Sequence, residues 1–454
     1  MELKDKKTVV IGTGVSGIGA VSLLRYAGAD IVLYDANDKI NKADVMAKLP
    51  EGTELEFITG EMPKRVINEA DLLVISPGVP IDSEIVLAFE RAGVPVWGEI
   101  ELAYNYEKGT VYAITGTNGK TTTTSLVGEI MKQYNPKTFV VGNIGTSYNS
   151  EVTKTEPDSI TVAEISSFQL ETIHDFAPKG TAILNITPDH LNRHYTMENY
   201  AHVKESITKN QWKKSDDDYC VLNYDDEVLR AFGENIKRSV YFSRKSKPKR
   251  GAYLTGNVIR YTDGVEDFEV MTTDEMNLFG NHNYENVMAA IALTYEAGVP
   301  LDIIVDTIRK FKGVEHRIEY VREKDGVIYY NDSKGTNPDS SIKALEAMSR
   351  PTILIAGGYD KHTGFDEFLD AFDSKVKLLV LLGQTADIIE DTALRHGFDK
   401  IVKVDSLKEA VDVCEANAVS GDVVLLSPAC ASWGMFKNYE ERGELFKQYV
   451  NELA

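Results

Sequence analysis

An α/β protein of three domains is the fold class this sequence predicts, and three observations predict it. Glycine-rich turns join an apolar strand to a helix at two places, Gly12–Gly17 and Thr115–Thr124. Between Thr352 and Leu426 apolar strands alternate with helical patterns, which calls for a parallel sheet covered by helices. The chain is 454 residues long, enough for about three separate cores.

The first domain begins with strand Thr8–Ile11, which runs into the GxGxxG turn and a helix through Val21 and Leu24. A second strand, Ile31–Tyr34, ends at Asp35, where a dinucleotide fold places an acid on a ribose. This is a Rossmann-like pattern. It predicts a bound nucleotide without fixing which one, and NAD is the first candidate. Leu72–Ile75 is another buried strand, and the loop after it carries Ser76 and Gly78 at a strand's carboxyl end, where such sheets bind ligands. A plain turn is the alternative there. Val94–Trp97 closes the sheet, and a boundary at residue 98 follows.

The second domain, residues 99–311, is organised around TGTNGKTTTT. Strand Val111–Ile114 leads in, and a helix with Leu126, Val127, Ile130 and Met131 on one face leads out. Gly116 and Gly119 let the backbone approach an anion, and the helix start presents Thr117, Asn118, Thr121 and Thr122 to it. Lys120 supplies a cation for terminal phosphates, and the Thr121 hydroxyl suits Mg²⁺. The common phosphate-loop spacing would put glycine at Ile114, so this is a shorter form of a P-loop, ATPase-like site. Glu164 ends the strand Ile160–Ala163, where a magnesium-holding carboxylate belongs. After the strand Ala182–Ile186 comes Asp189-His190 with Arg193 and His194, and His190 is a functional candidate. In the next helix, with Thr196 as N-cap, Lys204 shares the inward stripe with Met197, Tyr200, Ala201, Ile207 and Gln211. A lysine there is costly unless paired or modified. Short strands from Tyr219 to Phe279 predict a small β-rich lobe. Asn283 and Asn286, near the next helix start, either cap it or read a purine edge.

The third domain, residues 312–454, opens near His316-Arg317, and a hinge is expected around residues 308 to 314. A hairpin, Ile318–Val321 with Val327–Tyr330, leads to the polar loop NDSKGTN, and a Rossmann-like alternation follows. Two of its strands end in the loops Gly357–Lys361 and Ser427–Trp433. Cys430 has no evident His or Asn partner in sequence, which weighs against a nucleophile.

Composition excludes several classes. A net charge of −21 opposes general binding to nucleic acid or anionic membranes. Three scattered cysteines suit a reducing compartment, and neither a signal segment nor a run of about 18 apolar residues is present, so a cytoplasmic chain without membrane insertion is expected.

Taken together, TGTNGKTTTT, GNIG, EISSFQLE, NITPDHLNRH, NDSKGTN with the upstream His316-Arg317, and SPACASWGMFKNYEERG resemble the Mur ligase family of peptidoglycan precursor synthesis, in order along the whole chain. The resemblance implies ATP-dependent amide-bond formation through an acyl phosphate, with UDP-N-acetylmuramoyl-L-alanine and D-glutamate as substrates, in a monomer. It replaces NAD by UDP on the first domain, lined by Val15, Ser16, Asp35, Asn37, Ser76 and Gly78, with Asn143 near the muramoyl group. It gives Lys120 and Thr121 to the ATP phosphates and a first Mg²⁺, Glu164 to a magnesium, and His190 and an N-carboxylated (carbamylated) Lys204 to a second. Asn283, Asn286, Arg317 and Asp332 would hold the nucleotide, and Lys334, Thr336, Lys361, Ser432 and Tyr439 would hold D-glutamate. Family members can carry arginine at the position of Asn37 and phenylalanine at that of Tyr439. A nucleotide-dependent oxidoreductase lacks an evident hydride-handling site, and a non-catalytic nucleotide module would not need Lys120, Glu164, His190 and Lys204 together.

Overall fold

β1 (Lys7–Ile11), β2 (Asp30–Asp35), β3 (Glu56–Thr59), β4 (Leu72–Ile75) and β5 (Val96–Gly98) form the first sheet of the computed structural model, which describes residues 1–144, 146–213, 215–278, 280–360 and 364–453. The order is β3-β2-β1-β4-β5, and all pairings are parallel. Strand order reverses between β1 and β4, so the loops after Ile11 and Ile75 flank the crevice where such sheets take ligands.

The second sheet has nine strands, from β6 (Thr110–Thr115), β7 (Thr138–Gly142), β8 (Ile160–Glu164), β9 (Gly180–Ile183), β10 (Tyr219–Asn223), β11 (Ser239–Ser243) and β12 (Gly251–Thr255) to β13 (Val258–Thr262) and β14 (Asp267–Thr272). Their order is β14-β13-β12-β11-β10-β9-β6-β8-β7, antiparallel only from β12 to β14. The stretch expected as a small lobe thus continues this sheet, because β10 pairs in parallel with β9. The strand expected to reach Ile186 stops at Ile183; Leu184 to Thr187 instead lie against the glycine-rich turn. One apolar cluster includes Val10, Leu33 and Leu72 from the first sheet and Val111, Ala163 and Ile183 from the second. Accordingly, Met1–Met276 and Glu285–Lys310 make one compact unit.

Asn277–Tyr284 and Phe311–Ala454 make the other unit. Its sheet holds β15 (Glu319–Lys324), β16 (Val327–Asn331), β17 (Thr352–Ala356), β18 (Val376–Leu381), β19 (Ile401–Lys403) and β20 (Val423–Leu426). The order is β15-β16-β20-β17-β18-β19, with only the edge strand β15 antiparallel. Side chains alternate between two apolar layers: Leu354 and Ala356 face one, Ile353 and Ile355 the other. Among the described residues no helix is long and apolar enough to cross a membrane.

Candidate active site

Four neighbouring parallel strands, β9-β6-β8-β7, bring the chemistry of the second domain to one edge. β6 ends at the glycine-rich turn, β8 at Glu164, β7 just before Asn143, and β9 just before the Asn185–His190 loop. The turn needs glycine twice. Gly116 has φ +151° and Gly119 φ +82°, and a Cβ on Gly119 would lie 2.2 Å from the Asn286 amide oxygen. Asn286 therefore borders the turn from inside the helix Asn281–Glu296 and is not its cap. The loop after β9 locks the turn from the other side. Thr117 N–H donates to the Asn185 carbonyl at 3.0 Å, and Asn118 N–H to the Asn185 side chain at 2.8 Å. The Thr117 hydroxyl donates to the Thr187 carbonyl at 3.2 Å and lies 3.1 Å from the Tyr200 hydroxyl. Thr121 and Thr122 are buried at the start of the Lys120–Tyr134 helix.

The electrostatics centre on one carbonyl. Lys120 Nζ donates to the oxygens of Gly116 and Thr117 at 2.8 and 2.7 Å. Lys204 Nζ donates to the same Gly116 oxygen at 2.9 Å and lies 4.7 Å from the Tyr200 ring centre. Lys204 is 1% exposed. Its burial pushes the amine well below the usual lysine range, Lys120 pushes the same way, and Asp189 opposes them. Thr196 caps the helix Met197–Glu205 by accepting from Asn199 N–H, and Tyr200, Ala201 and Lys204 are buried as the helical period predicts; Ile207 and Gln211, expected on the same stripe, are buried but lie beyond the helix, Ile207 in the 3-10 turn Ser206–Thr208.

Glu164 is 1% exposed, and its Oε1 accepts from Asn143 Nδ2 at 2.8 Å. Its Oε2 is buried with no hydrogen-bond partner among the described residues. An open buried carboxylate oxygen beside a phosphate loop suits a hard cation. His190 sits in the left-handed region at φ +53°, edge-on to Phe168 and half-exposed, with Nε2 3.4 Å from the Asp189 carboxylate. The turn around it is strapped down. Arg193 pairs with the nearly buried Glu171 and donates to the Val79 carbonyl at 2.9 Å. His194 lies 2.9 Å from the Ser167 hydroxyl, and burial lowers its ring to about 4, so it is neutral at pH 7.

In the first sheet, the Thr13 hydroxyl donates to Asp35 at 2.8 Å, and the Asn37 N–H donates to the other Asp35 oxygen at 3.0 Å. Val15 is exposed, Ser16 half-buried, and both open the helix Val15–Ala27. Ser76 Oγ is buried without a hydrogen-bond partner among the described residues and faces Gly12, while Gly78 is exposed. This edge gathers the residues expected to bind the UDP substrate.

In the second unit, β16, β20 and β17 lie side by side, so the loops after Asn331, Leu426 and Ala356 share one edge. Asp332 is fully buried; its Oδ2 accepts from the Ser427 hydroxyl at 2.7 Å, and Arg317 lies 4.0 Å from its Oδ1. Burial raises its carboxyl from 3.8 to about 6, against the pull of Arg317. The Lys334 ammonium stands 5.4 Å from the Tyr439 ring centre, Thr336 is half-buried and Ser432 buried. Asn283 is buried within this unit; Lys361 lies outside the described residues. Cys430 is buried beside the Thr385 hydroxyl, 3.3 Å away. Of the described residues, Glu315, His316 and Glu444 come close enough to share a cation, but Lys447 already lies 2.7 Å from Glu444 and 3.3 Å from Glu319.

Sequence reading missed Arg442. It is 2% exposed and donates to Ser333 Oγ at 3.0 Å, to the Ser333 carbonyl at 2.8 Å and to the Cys430 carbonyl at 3.2 Å, so it clamps the NDSKGTN loop to the Ser427–Trp433 loop. The signal was available: Arg442, Phe446 and Val450 repeat every four residues and are all buried in the Tyr439–Glu452 helix.

Because Asp332 holds its proton more tightly folded than unfolded, its contribution to stability is full below 3.8 and is lost as pH rises through about 6. Asp332→Asn is expected to flatten that fall in thermal melts across the interval, with no loss of stability at pH 7, while weakening nucleotide binding. Melts whose pH dependence matches the parent's would contradict it.

Fold and site define a phosphate-loop α/β protein with a third, separately packed nucleotide-type sheet, and family comparison gives its class. Residues 6–98 match the MurD-like N-terminal domain of Mur ligases, 114–294 the Mur ligase middle domain and 316–430 the Mur ligase glutamate ligase domain. The chain belongs to the Mur ligase family. Among curated relatives, the UDP-N-acetylmuramoylalanine–D-glutamate ligase of Lachnospira eligens is 61% identical over 100% of both chains. That of Lachnoclostridium phytofermentans is 54% identical over 100% of this chain and 99% of its own. Solved structures share the fold: UDP-N-acetylmuramate-alanine ligase MurC of Thermotoga maritima has a TM-score of 0.61 at 20% identity, covering 98% of this chain and 99% of that one. MurF ligase of the same organism, solved in complex with ADP, has a TM-score of 0.60 at 18% identity, covering 94% and 96%.

Proposed function

We propose that the edge formed by β9, β6, β8 and β7 is the phosphoryl-transfer site of an ATP-dependent ligase that joins D-glutamate to UDP-N-acetylmuramoyl-L-alanine in peptidoglycan precursor synthesis. Full-length relatives at 61% and 54% identity carry that activity in their names. The observation that carries the chemistry is the pair of lysine side chains on the Gly116 carbonyl, in the turn after β6, next to a strand whose end carries a carboxylate with an open oxygen.

A carboxylate and an amine do not condense at neutral pH. The substrate carboxylate oxygen attacks the ATP γ-phosphorus, the bond to ADP breaks, and an acyl phosphate forms. The D-glutamate amine then attacks the acyl carbon, loses a proton, and phosphate leaves with the amide formed. Both steps crowd negative charge, so positioning and neutralisation do most of the work. Lys120, with the turn's N–H groups, serves the terminal phosphates. Thr121, Glu164, His190 and an N-carboxylated Lys204 would hold two Mg²⁺ ions. Oxygen donors and the orphaned Glu164 Oε2 suit that metal, which when bound neutralises phosphate charge. Lys204 as a neutral amine adds to carbon dioxide through nitrogen, releases one proton and becomes an anion, which Lys120 attracts where it disfavoured the cation.

Boundaries at 1–98, 99–311 and 312–454 follow from this division of labour. The first domain takes UDP through Val15, Ser16, Asp35, Asn37, Ser76 and Gly78, with Asn143 beside the muramoyl group. Asn283, Asn286, Arg317 and Asp332 hold ATP, and Lys334, Thr336, Lys361, Ser432 and Tyr439 hold D-glutamate. The enzyme works as a cytoplasmic monomer.

The test is phosphate release from ATP with UDP-N-acetylmuramoyl-L-alanine and each of several amino acids. Release only with D-glutamate is expected. Release with another amino acid alone would overturn the substrate, and none with any would overturn the activity.

A further inference from the structure

A buried polar path in the first unit is not used by the ligation chemistry. Glu99 opens the helix Glu99–Tyr104 directly after β5 and is 4% exposed. Ile11 pairs with Ile75, and Ile75 with Gly98, so Gly12, Ser76 and Glu99 leave three adjacent strands at one edge. Gln169 Nε2 donates to Glu99 Oε1. Gln169 Oε1 in turn accepts from the Ser166 N–H at 2.8 Å and its hydroxyl at 3.0 Å. Ser166 stands two residues beyond Glu164, whose Oε2 is also open. The path runs Glu99, Gln169, Ser166, from the strand-end edge of the first sheet to the turn that follows the candidate metal ligand.

Two buried oxygens at the first-sheet edge, Glu99 Oε2 and Ser76 Oγ, have no hydrogen-bond partner among the described residues. An unsatisfied buried carboxyl is expensive, and an apolar side chain would pack there more cheaply. Burial raises the Glu99 carboxyl above the usual range, and Ser16 and Gln169 work against it. Protonated, such a group donates to a phosphate oxygen; ionised, it still accepts from Gln169.

We propose that Glu99 is a positioning residue that, through Gln169, ties the Glu164 turn to occupation of the strand-end site at Gly12–Ser16 and Ser76 by the diphosphate of the nucleotide substrate. This rests on the reading that the UDP substrate binds at that edge. Substrate arrival would order the turn that meets the second nucleotide, and the two ligands would then bind cooperatively. Such coupling is reciprocal and typically amounts to about five- to 150-fold.

The experiment is titration calorimetry on the full chain with UDP-N-acetylmuramoyl-L-alanine and a non-hydrolysable ATP analogue with Mg²⁺, each alone and each with the other saturating. In the parent, the UDP substrate is expected to tighten analogue binding about fivefold or more. In Glu99→Ala that factor should fall at least about threefold while the separate affinity for the ATP analogue stays within about twofold. Glu99→Gln, which keeps an acceptor for Gln169, should retain it. Where the alanine variant does not fold, Gln169→Leu breaks the same path and should lose the factor. An unchanged factor in Glu99→Ala or Gln169→Leu, or a parent factor of one, overturns the proposal. Loss of both separate affinities with the factor intact assigns Glu99 to structure alone and overturns it equally. Failure of the parent to bind the UDP substrate at all instead overturns the proposed function.

Discussion

Replacing Lys204 by alanine is expected to lower kcat by about 10²–10³-fold, the scale of losing one group aimed at developing charge. Lys204 is buried beside a second ammonium, and both share one carbonyl. The Gly116 carbonyl, the Tyr200 ring and Asp189 favour a cation there, but burial and Lys120 outweigh them. Burial and Lys120 favour the neutral amine, and a neutral amine is the form that takes up carbon dioxide. The product is a carboxylate where a lysine could supply none, at an edge that already offers Glu164. If that anion is the working group, a short carboxylate such as acetate should enter the space left by alanine and restore part of the rate. Intact mass of the parent protein with bicarbonate should show the added carbon dioxide, and it should be lost on acidification. Stability supplies a check with a definite sign. Without carbon dioxide the folded chain holds the lysine proton less tightly than the unfolded chain, so melting temperature should rise as pH climbs toward 10.5. Near-parental turnover in Lys204→Ala would sink the carbamate role. A drop in melting temperature with no rescue by acetate would assign the lysine to packing.

Lys204 also shows why part of the site was legible. Helical period alone turns it inward with Tyr200 and Ala201, and the cost of an inward lysine raises the question before any fold is known. The same period turns Arg442 inward with Phe446 and Val450, but which loops it meets there depends on strand order. Apolar runs bounded by glycine located β1, β4, β6, β17 and β20 to within a residue or two. β3 was passed over because Glu56–Thr59 is half-buried throughout and carries no apolar run. Strand order lies beyond local pattern: β20 comes last in its sheet yet is inserted between β16 and β17, which is what sets the NDSKGTN loop beside Ser427–Trp433. For the same reason Asn185 could not be read as the lock of the phosphate loop, since that needs β9 to stop at Ile183 beside Thr115. Local spacing shows which residues can do chemistry; the parallel register decides which of them meet.

Lys120→Ala is expected to cut acyl-phosphate formation by about 10²–10³-fold while the affinity for UDP-N-acetylmuramoyl-L-alanine stays within about twofold. The separation follows from the two edges. Lys120 belongs to the turn after β6, whereas Ser16, Asp35 and Ser76 leave the strands of the first sheet. The ammonium donates to two carbonyls of its own turn, so it is held at the loop before any phosphate arrives and needs only to exchange those bonds for phosphate oxygens. Lys120→Arg should not repair the loss. A planar fork cannot reproduce a compact ammonium seated between the Gly116 and Thr117 oxygens at 2.8 and 2.7 Å. The alanine variant has a second consequence. Lys120 is one of the groups that keep Lys204 neutral, so its removal lets the Lys204 amine rise, and since burial is the larger cause the rise is partial. Uptake of carbon dioxide by Lys204 should therefore weaken without vanishing, which intact mass can follow separately from rate. Trapping the acyl phosphate with hydroxylamine measures the chemical step, and calorimetry measures substrate binding. Equal loss of both would contradict the assignment of Lys120 to the ATP phosphates. Loss of the trapped intermediate alone, with UDP-substrate affinity intact, is the result that the two separate strand edges require.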